Sequence, residues 1–289
     1  MKKAFTLTEL SIVVLIIGVL ITGITQGSGM IKTARLVNAR SMTSRSPVLE
    51  ISGLIAWYEP TLKSSFKDSE SIDASRTTEW RDNSPGSIIL TKNKLTRSAG
   101  SAVTYEESGI NNLPTLLFSG EASANIALAN FYQGSSVQNT AFIVFRPLFA
   151  TGSTAKILLD SSSANSTSSI GIKSTAVNLN AGTSVDTATA TNSASFANGN
   201  DYVVAAYFNS SSSQVFVNNA TSRAGNGAIN PNTTNQLGGL TIGTDKSGTN
   251  GFNGYISEII IYNRPLKLQE RKDVMSYLSK KYKISVTGL

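Results

Sequence analysis

Glu9 is the residue of this sequence whose chemistry is most constrained by its neighbours. It is the one charged residue between Phe5 and Met30, in a run dominated by Leu, Ile and Val. Placing a charged side chain at the centre of a bilayer costs at least ~2.5 kcal/mol on insertion scales. A carboxylate kept near the end of such a run therefore requires a partner, and this requirement predicts a functional role for Glu9.

The rest of the chain offers little material for catalysis. It contains no His and no Cys, which removes the commonest general base, the thiol nucleophile and most transition-metal ligands. Glu79 and Asp82 are close in sequence, but next to Arg81 they are better explained by ion pairing or turn capping. The sequence therefore predicts that the protein is not an enzyme. No residue is assigned a catalytic role.

The apolar run itself must position Glu9. Counted from Phe5 to Ile24 it spans about 20 residues, enough as a helix to cross the ~30 Å hydrocarbon core of a membrane. Lys2 and Lys3 precede it and place the N-terminus on the cytoplasmic side. No small-residue cleavage site follows the run, as it would in a secretory signal peptide. A helix is expected to end near Pro47, because the residue before a proline leaves the α region. An ordinary membrane anchor is the simplest alternative.

The N-terminal residues resemble the processing site of type IV prepilins. The motif is Ala4-Phe5-Thr6-Leu7-Thr8-Glu9 after a short basic leader, although Gly is usual where Ala4 stands. The resemblance implies that a prepilin peptidase removes residues 1–4 and methylates the new amino group of Phe5.

The same resemblance implies a mode of assembly. Glu9 would pair with the Phe5 amino group of a neighbouring subunit when residues 5–47 pack into a filament. Small residues such as Gly18 allow close approach of helices, which such packing would need.

Residues 50–289 differ in composition and are rich in Ser, Thr, Asn and Gly. Short apolar segments separated by such residues predict an all-β sandwich. A closing helix is expected at residues 267–282, with Val274, Tyr277 and Leu278 on its buried face. The predicted strands lie at residues 113–118, 141–145, 202–208, 214–217, 240–243 and 255–262.

The order of motifs in this domain resembles the laminin G-like, concanavalin A-like jelly-roll domains of bacterial surface proteins. The resemblance rests on residues 54–58, 79–84 and 252–266. The fold class expected is therefore mainly β, with a long N-terminal α-helix of the type IV pilin kind, a jelly-roll sandwich and a short C-terminal helix. Glycosidases of this fold carry a Glu-x-Asp-x-x-Glu string, which is not found in this sequence.

Lectins of this fold use loop carboxylates, amides and aromatic faces, and sometimes Ca²⁺ held by oxygen ligands. Four residues have a suitable context for such ligand binding. Turn stabilisation is the simpler explanation for each Asp and Asn among them. No metal is assigned from the sequence. Ca²⁺ is the ion that oxygen ligands of this kind would suit. The four candidates are Asp160, Asp245, Asn253 and Tyr255.

The chain is basic, with 25 Lys and Arg against 18 Asp and Glu and a net charge of +7. Many of the basic residues fall in the predicted last helix. Such a patch could attract DNA or an acidic polysaccharide, although a solvated helix face is the simpler interpretation. These residues are Lys267, Arg271, Lys272, Lys280, Lys281 and Lys283.

The preferred interpretation is a structural subunit of a type IV pilus or related filament, with the β domain displayed outside. Two alternatives remain open: a minor tip subunit that binds glycans or surfaces as an adhesin, and a pseudopilin of a type II secretion system. The expected partners are copies of the same chain, the prepilin peptidase and the assembly machinery. The chain is expected in the inner membrane as a precursor and then in an extracellular filament.

Overall fold

The computed structural model of the protein describes long stretches at each end of the chain and shorter segments between them. The described residues are 6–85, 93–97, 103–131, 138–149, 154–160, 169–173, 176–180, 190–191, 196–209, 212–222 and 238–289. At residues 23–26, 28, 173, 176–180 and 190–191 it describes the backbone alone.

A helix of 38 residues, α1 (Leu7–Ser44), begins the described chain. Thr6 precedes it in an extended conformation and caps its first turn. The helix ends at Ser44, and Ser46 then takes an extended conformation (φ −71°, ψ 150°), as a residue before proline does. Helix α1 therefore runs without a break from the apolar N-terminal run to the start of the globular part.

In the described part of the chain, no helix combines the length and the apolarity needed to cross a membrane. Phe5, at the start of the expected span, lies outside the described residues.

The globular part is a sandwich of two antiparallel sheets. The strands of the first sheet are β1 (Leu54–Tyr58), β2 (Ser75–Arg76), β5 (Val103–Glu106), β6 (Thr115–Ser119), β8 (Asn139–Pro147), β13 (Tyr202–Phe208), β14 (Gln214–Val217) and β16 (Asn253–Tyr262). They are arranged in the order β14-β13-β8-β16-β6-β5-β2, and β1 pairs with part of β16.

The second sheet faces the first. Its strands are β3 (Glu79–Trp80), β4 (Leu95–Arg97), β7 (Ile126–Leu128), β9 (Lys156–Asp160), β10 (Ser169–Lys173), β11 (Ala176–Asn180), β12 (Ala190–Thr191) and β15 (Leu240–Ile242). They are arranged in the order β12-β11-β10-β9-β15-β7-β4-β3.

The main core lies between the two sheets. Alternate residues of the strands point into it, among them Phe118, Phe145 and Ile256, all fully buried. Trp80 stacks on Phe66 with 6.0 Å between ring centroids. This arrangement confirms the predicted β-sandwich, and β13 and β14 have the bounds predicted from the apolar segments.

A second core lies on the other face of the first sheet, under the C-terminal helix α2 (Leu268–Tyr282). The predicted inner face of this helix is buried, with Val274 and Leu278 fully inaccessible. The last turns of α1 join the same core through Ala39. Helix α2 therefore connects α1 to the sandwich.

Candidate functional site

The N-terminal end of α1 is organised around Glu9. Its carboxylate accepts hydrogen bonds from the backbone N–H and the hydroxyl of Thr6, both at 2.8 Å. The Glu9 N–H donates in return to the Thr6 hydroxyl at 3.3 Å. This reciprocal arrangement is a capping box, which satisfies two of the free donors at a helix start.

An apolar surface follows Glu9 along the helix. Eleven large apolar side chains between Leu7 and Ile21 are 49–84% exposed. Gly18 lies among them, and a Cβ added there would meet no atom within 4 Å. Burying a fully exposed side chain of this size contributes about 1.5–3 kcal/mol, and covering the exposed half of one contributes about half of that. This surface, here called the α1 apolar surface (Leu7–Ile21), therefore favours contact with an apolar partner.

The proposed processing residues, Ala4 and Phe5, lie outside the described residues. The pairing of Glu9 with a Phe5 amino group of another subunit thus stays a prediction. Within one chain, the Glu9 carboxylate is held by Thr6.

Asp245 organises the loop between β15 and β16. Its carboxylate accepts from the Thr249 N–H (2.8 Å), the Ser247 hydroxyl (2.7 Å) and the Asn250 amide (2.7 Å). Burial acts to raise the pKa of Asp245, but these hydrogen bonds outweigh it and hold the pKa below its usual value. The Asp245 carboxylate therefore stabilises its own loop.

Asp160, at the end of β9, is brought to the same loop. It is fully buried and accepts from the Lys246 N–H at 2.9 Å. The structure thus places Asp160 beside the loop that Asp245 organises, although the two are far apart in sequence. Both carboxylates accept hydrogen bonds from the loop backbone, as the turn interpretation expects.

Asn253 and Tyr255 lie at the start of β16. The Asn253 amide donates to the Leu148 carbonyl at 3.4 Å. The Arg146 guanidinium lies over the Tyr255 ring at 5.7 Å, while it also pairs with Asp201 at 2.6 Å. Tyr255 is partly exposed and is the candidate whose ring could still stack on a ligand.

The two carboxylates considered for catalysis have structural partners. Glu79 pairs with Arg81 and Lys94, the latter at 3.0 Å. Asp82 is buried and accepts from the Trp57 and Ser84 N–H groups, both at 2.8 Å. Within the described ranges, no group of three Asp and Glu side chains is arranged to hold a metal ion.

Two members of the predicted basic surface are not on the surface. Arg271 is 7% exposed and lies over the Phe216 ring at 3.7 Å. Lys281 is 2% exposed and is ion-paired inside the domain. These two side chains turn inward toward aromatic and acidic partners, so they belong neither to a surface patch nor to a solvated helix face.

The comparison with protein families decides the classification of the β domain. A family model described as the concanavalin A-like lectin/glucanases superfamily matches residues 120–270, just over half of the chain. The chain belongs to this superfamily. A search among curated proteins found no match. Membership accounts for the two-sheet concanavalin A-like architecture and leaves the N-terminal helix outside the matched residues.

Solved structures share this concanavalin A-like fold at low identity. Domain 4 of AbnA, an extracellular arabinanase from Geobacillus stearothermophilus, in complex with arabinotriose, has a TM-score of 0.50 at 15% identity; the match covers 76% of this chain and 97% of that one. Trypanosoma rangeli sialidase has a TM-score of 0.51 at 13% identity, with coverage of 85% and 38%. The botulinum neurotoxin serotype D/C binding domain has a TM-score of 0.52 at 11% identity, with coverage of 78% and 52%.

The chain spans only about a third of the sialidase chains that it matches. At these identities the likeness shows the fold alone.

Sequence reasoning missed two features of the molecule. The capping box could have been found, because Thr6-x-x-Glu9 is a known helix-start pattern. The buried ion pairs of Lys281 had no such signal, since Glu59 and Lys281 are 222 positions apart.

Proposed function

We propose that this chain is a subunit of a type IV pilus or related filament, which polymerises through α1 and displays its concanavalin A-like domain. Removal of residues 1–4 would free the Phe5 amino group to pair with Glu9 of a neighbouring copy. The precursor would reside in the inner membrane and the assembled subunit outside the cell, with the prepilin peptidase and assembly machinery as partners.

The α1 apolar surface (Leu7–Ile21) is the observation that carries this proposal. Its exposed side chains are followed along the same helix by residues that pack into the domain, such as Ala39. The helix is therefore fixed at one end and offers apolar area at the other. Packing of equivalent helices from other copies would bury this area, with Glu9 setting the register.

Shearing tests the proposal. Cells that produce the chain are sheared, and filaments in the supernatant are probed with an antibody against the β domain by immunogold microscopy. Labelled filaments are expected. Chain found only in the cell membrane, with unlabelled supernatant, would contradict the filament role and favour an ordinary anchor.

Glycan binding is a second candidate function, supported by membership of a superfamily that includes lectins. It corresponds to an adhesin role at the filament tip, with Tyr255 as the stacking residue and a non-catalytic domain. Sheared filaments would be applied to a glycan array with Ca²⁺ and with EDTA. Binding that a Tyr255→Ala variant reduces is expected if this function holds, and no binding in either condition would contradict it.

A further inference from the structure

A group of ionisable side chains is enclosed where α1, α2 and the first sheet meet. Lys281 of α2 lies between Glu59, which follows β1, and Glu258 of β16. Its Nζ contacts the Glu59 carboxylate directly and is 2.8 Å from Glu258 Oε2. The side chains of all three are 0% exposed. An amine and a carboxyl carbon are thus held side by side in a dry site.

Aromatic residues close this site and fix Glu258. The indole N–H of Trp57 donates to Glu258 Oε1 at 2.7 Å. The hydroxyls of Tyr277 and Tyr282 donate to the same carboxyl at 2.9 and 3.0 Å. Such a shell excludes water, which strengthens the polar contacts inside and removes the reactant that hydrolyses an amide.

The charges of the site do not balance if every group has its usual state. Two carboxylates and one ammonium would leave one negative charge in a dry interior, which is costly. Burial raises the pKa of Glu258, with the nearby Glu59 acting in the same direction and Lys281 opposing it. A protonated Glu258 beside a Lys281–Glu59 pair restores neutrality and provides a group able to move a proton.

The contacts of the Lys281 Nζ fix its position in the site. Besides Glu59 and Glu258, it lies 2.8 Å from the Thr43 hydroxyl and 3.0 Å from the Tyr277 hydroxyl. An ammonium has three hydrogens for these four oxygens. The Thr43 and Tyr277 hydroxyls donate their own hydrogens to the Ala39 carbonyl and to Glu258, so the four oxygens share the three hydrogens of Lys281 and hold its Nζ beside Glu59.

We propose that Lys281 and Glu59 form an intramolecular amide bond. A proton passes from Lys281 to Glu59 within the pair, and the neutral Nζ attacks the Glu59 Cδ. A C–N bond forms and one C–O bond of the carboxyl breaks. The protonated Glu258 donates its proton to the leaving hydroxyl, which departs as water, and takes one proton from the nitrogen in return. Glu258 ends in its starting state, and nothing is oxidised or reduced.

This bond would connect the C-terminal helix to the end of β1. It would close a covalent loop around nearly the whole β domain, which contains no Cys and hence no disulfide. Cross-links of this kind stabilise chiefly by restricting the unfolded chain. A displayed filament domain under load would gain resistance to unfolding.

Mass spectrometry of the full chain, purified from the producing cells, tests the bond. The intact mass is expected to be lower by one water molecule than the mass of the same mature chain without the bond. Trypsin should leave Lys281 uncut and yield residues 46–63 joined to residues 281–283. An intact mass equal to that of the chain without the bond, together with no joined peptide in the digest, would overturn the proposal.

Variants show which groups take part. Lys281→Arg keeps the positive charge but removes the attacking amine, and Glu258→Gln removes the acid that moves the proton. Both variants should have the mass expected for a chain without the bond. Circular dichroism would show whether each variant keeps its β structure. The wild-type mass alone decides the proposal if either variant fails to fold. A joined peptide containing residues 247–267 instead of 46–63 would assign the bond to Glu258 and overturn the assignment to Glu59.

Discussion

Glu9 caps α1, and in the proposed filament it also pairs with the Phe5 ammonium of another copy; the two roles differ in whether they need a charge. Capping of α1 needs an oxygen that accepts from Thr6, which a glutamine amide also supplies. Pairing with a Phe5 ammonium needs the carboxylate.

Substitution of Glu9 separates these roles. We expect Glu9→Gln and Glu9→Ala both to lose filament assembly, because both remove the charge, while the chain still reaches the membrane. The measurement is the amount of chain in the sheared fraction relative to the membrane fraction. Normal filament yield from Glu9→Gln, with loss in Glu9→Ala, would show that the cap rather than the charge matters.

Asp245 should stabilise the folded domain through the loop between β15 and β16. Asp245→Ala should lower the free energy of unfolding by about 1–3 kcal/mol, because several loop donors lose their acceptor. Asp273→Ala is the control, since Asp273 is exposed on α2, and should change stability by less than about 0.5 kcal/mol. Both are measured by thermal or denaturant unfolding of the full chain.

The stabilisation by Asp245 should depend on pH in one direction. Its pKa is lowered in the folded state, so the folded state favours the ionised form. The contribution is therefore complete above the unfolded value of about 3.9 and is lost as the pH falls through the lower folded value. The stability difference between wild type and Asp245→Ala should shrink below about pH 4. A constant difference there would contradict the assignment.

At the scale of elements, helix α2 offers a matched pair of leucines. Leu278 is fully buried against the first sheet, whereas Leu268 is 51% exposed on the same helix. Leu278→Ala should cost about 2–5 kcal/mol, and Leu268→Ala less than about 0.5 kcal/mol. Unfolding of the full chain measures both. Equal effects would mean that α2 does not pack on the sheet as described.

The elements themselves were largely predictable. Apolar segments predicted the bounds of β13 and β14, and Pro47 predicted the end of α1. Strand order was not predictable, because β16 pairs with β1, β6 and β8, which are distant in sequence. Nor was the inward orientation of Lys281, since a lysine in a polar helix normally faces solvent.

At the scale of the whole molecule, the chain consists of a domain of known superfamily and a helix outside the matched residues. The proposed glycan binding would use the domain, and the proposed assembly would use the α1 apolar surface (Leu7–Ile21). The two are connected by the contacts of α1 with α2, including the hydrogen bond between Thr43 and Tyr277 (3.2 Å).

The intact mass of chain recovered from sheared filaments tests the filament role most directly. We expect a chain that begins at Phe5, lacks residues 1–4 and carries one methyl group on its N-terminal peptide. This peptide is separate from the one that reports the Lys281–Glu59 bond, so the two proposals can fail independently. A chain that keeps Met1 and never enters the sheared fraction would contradict the filament role.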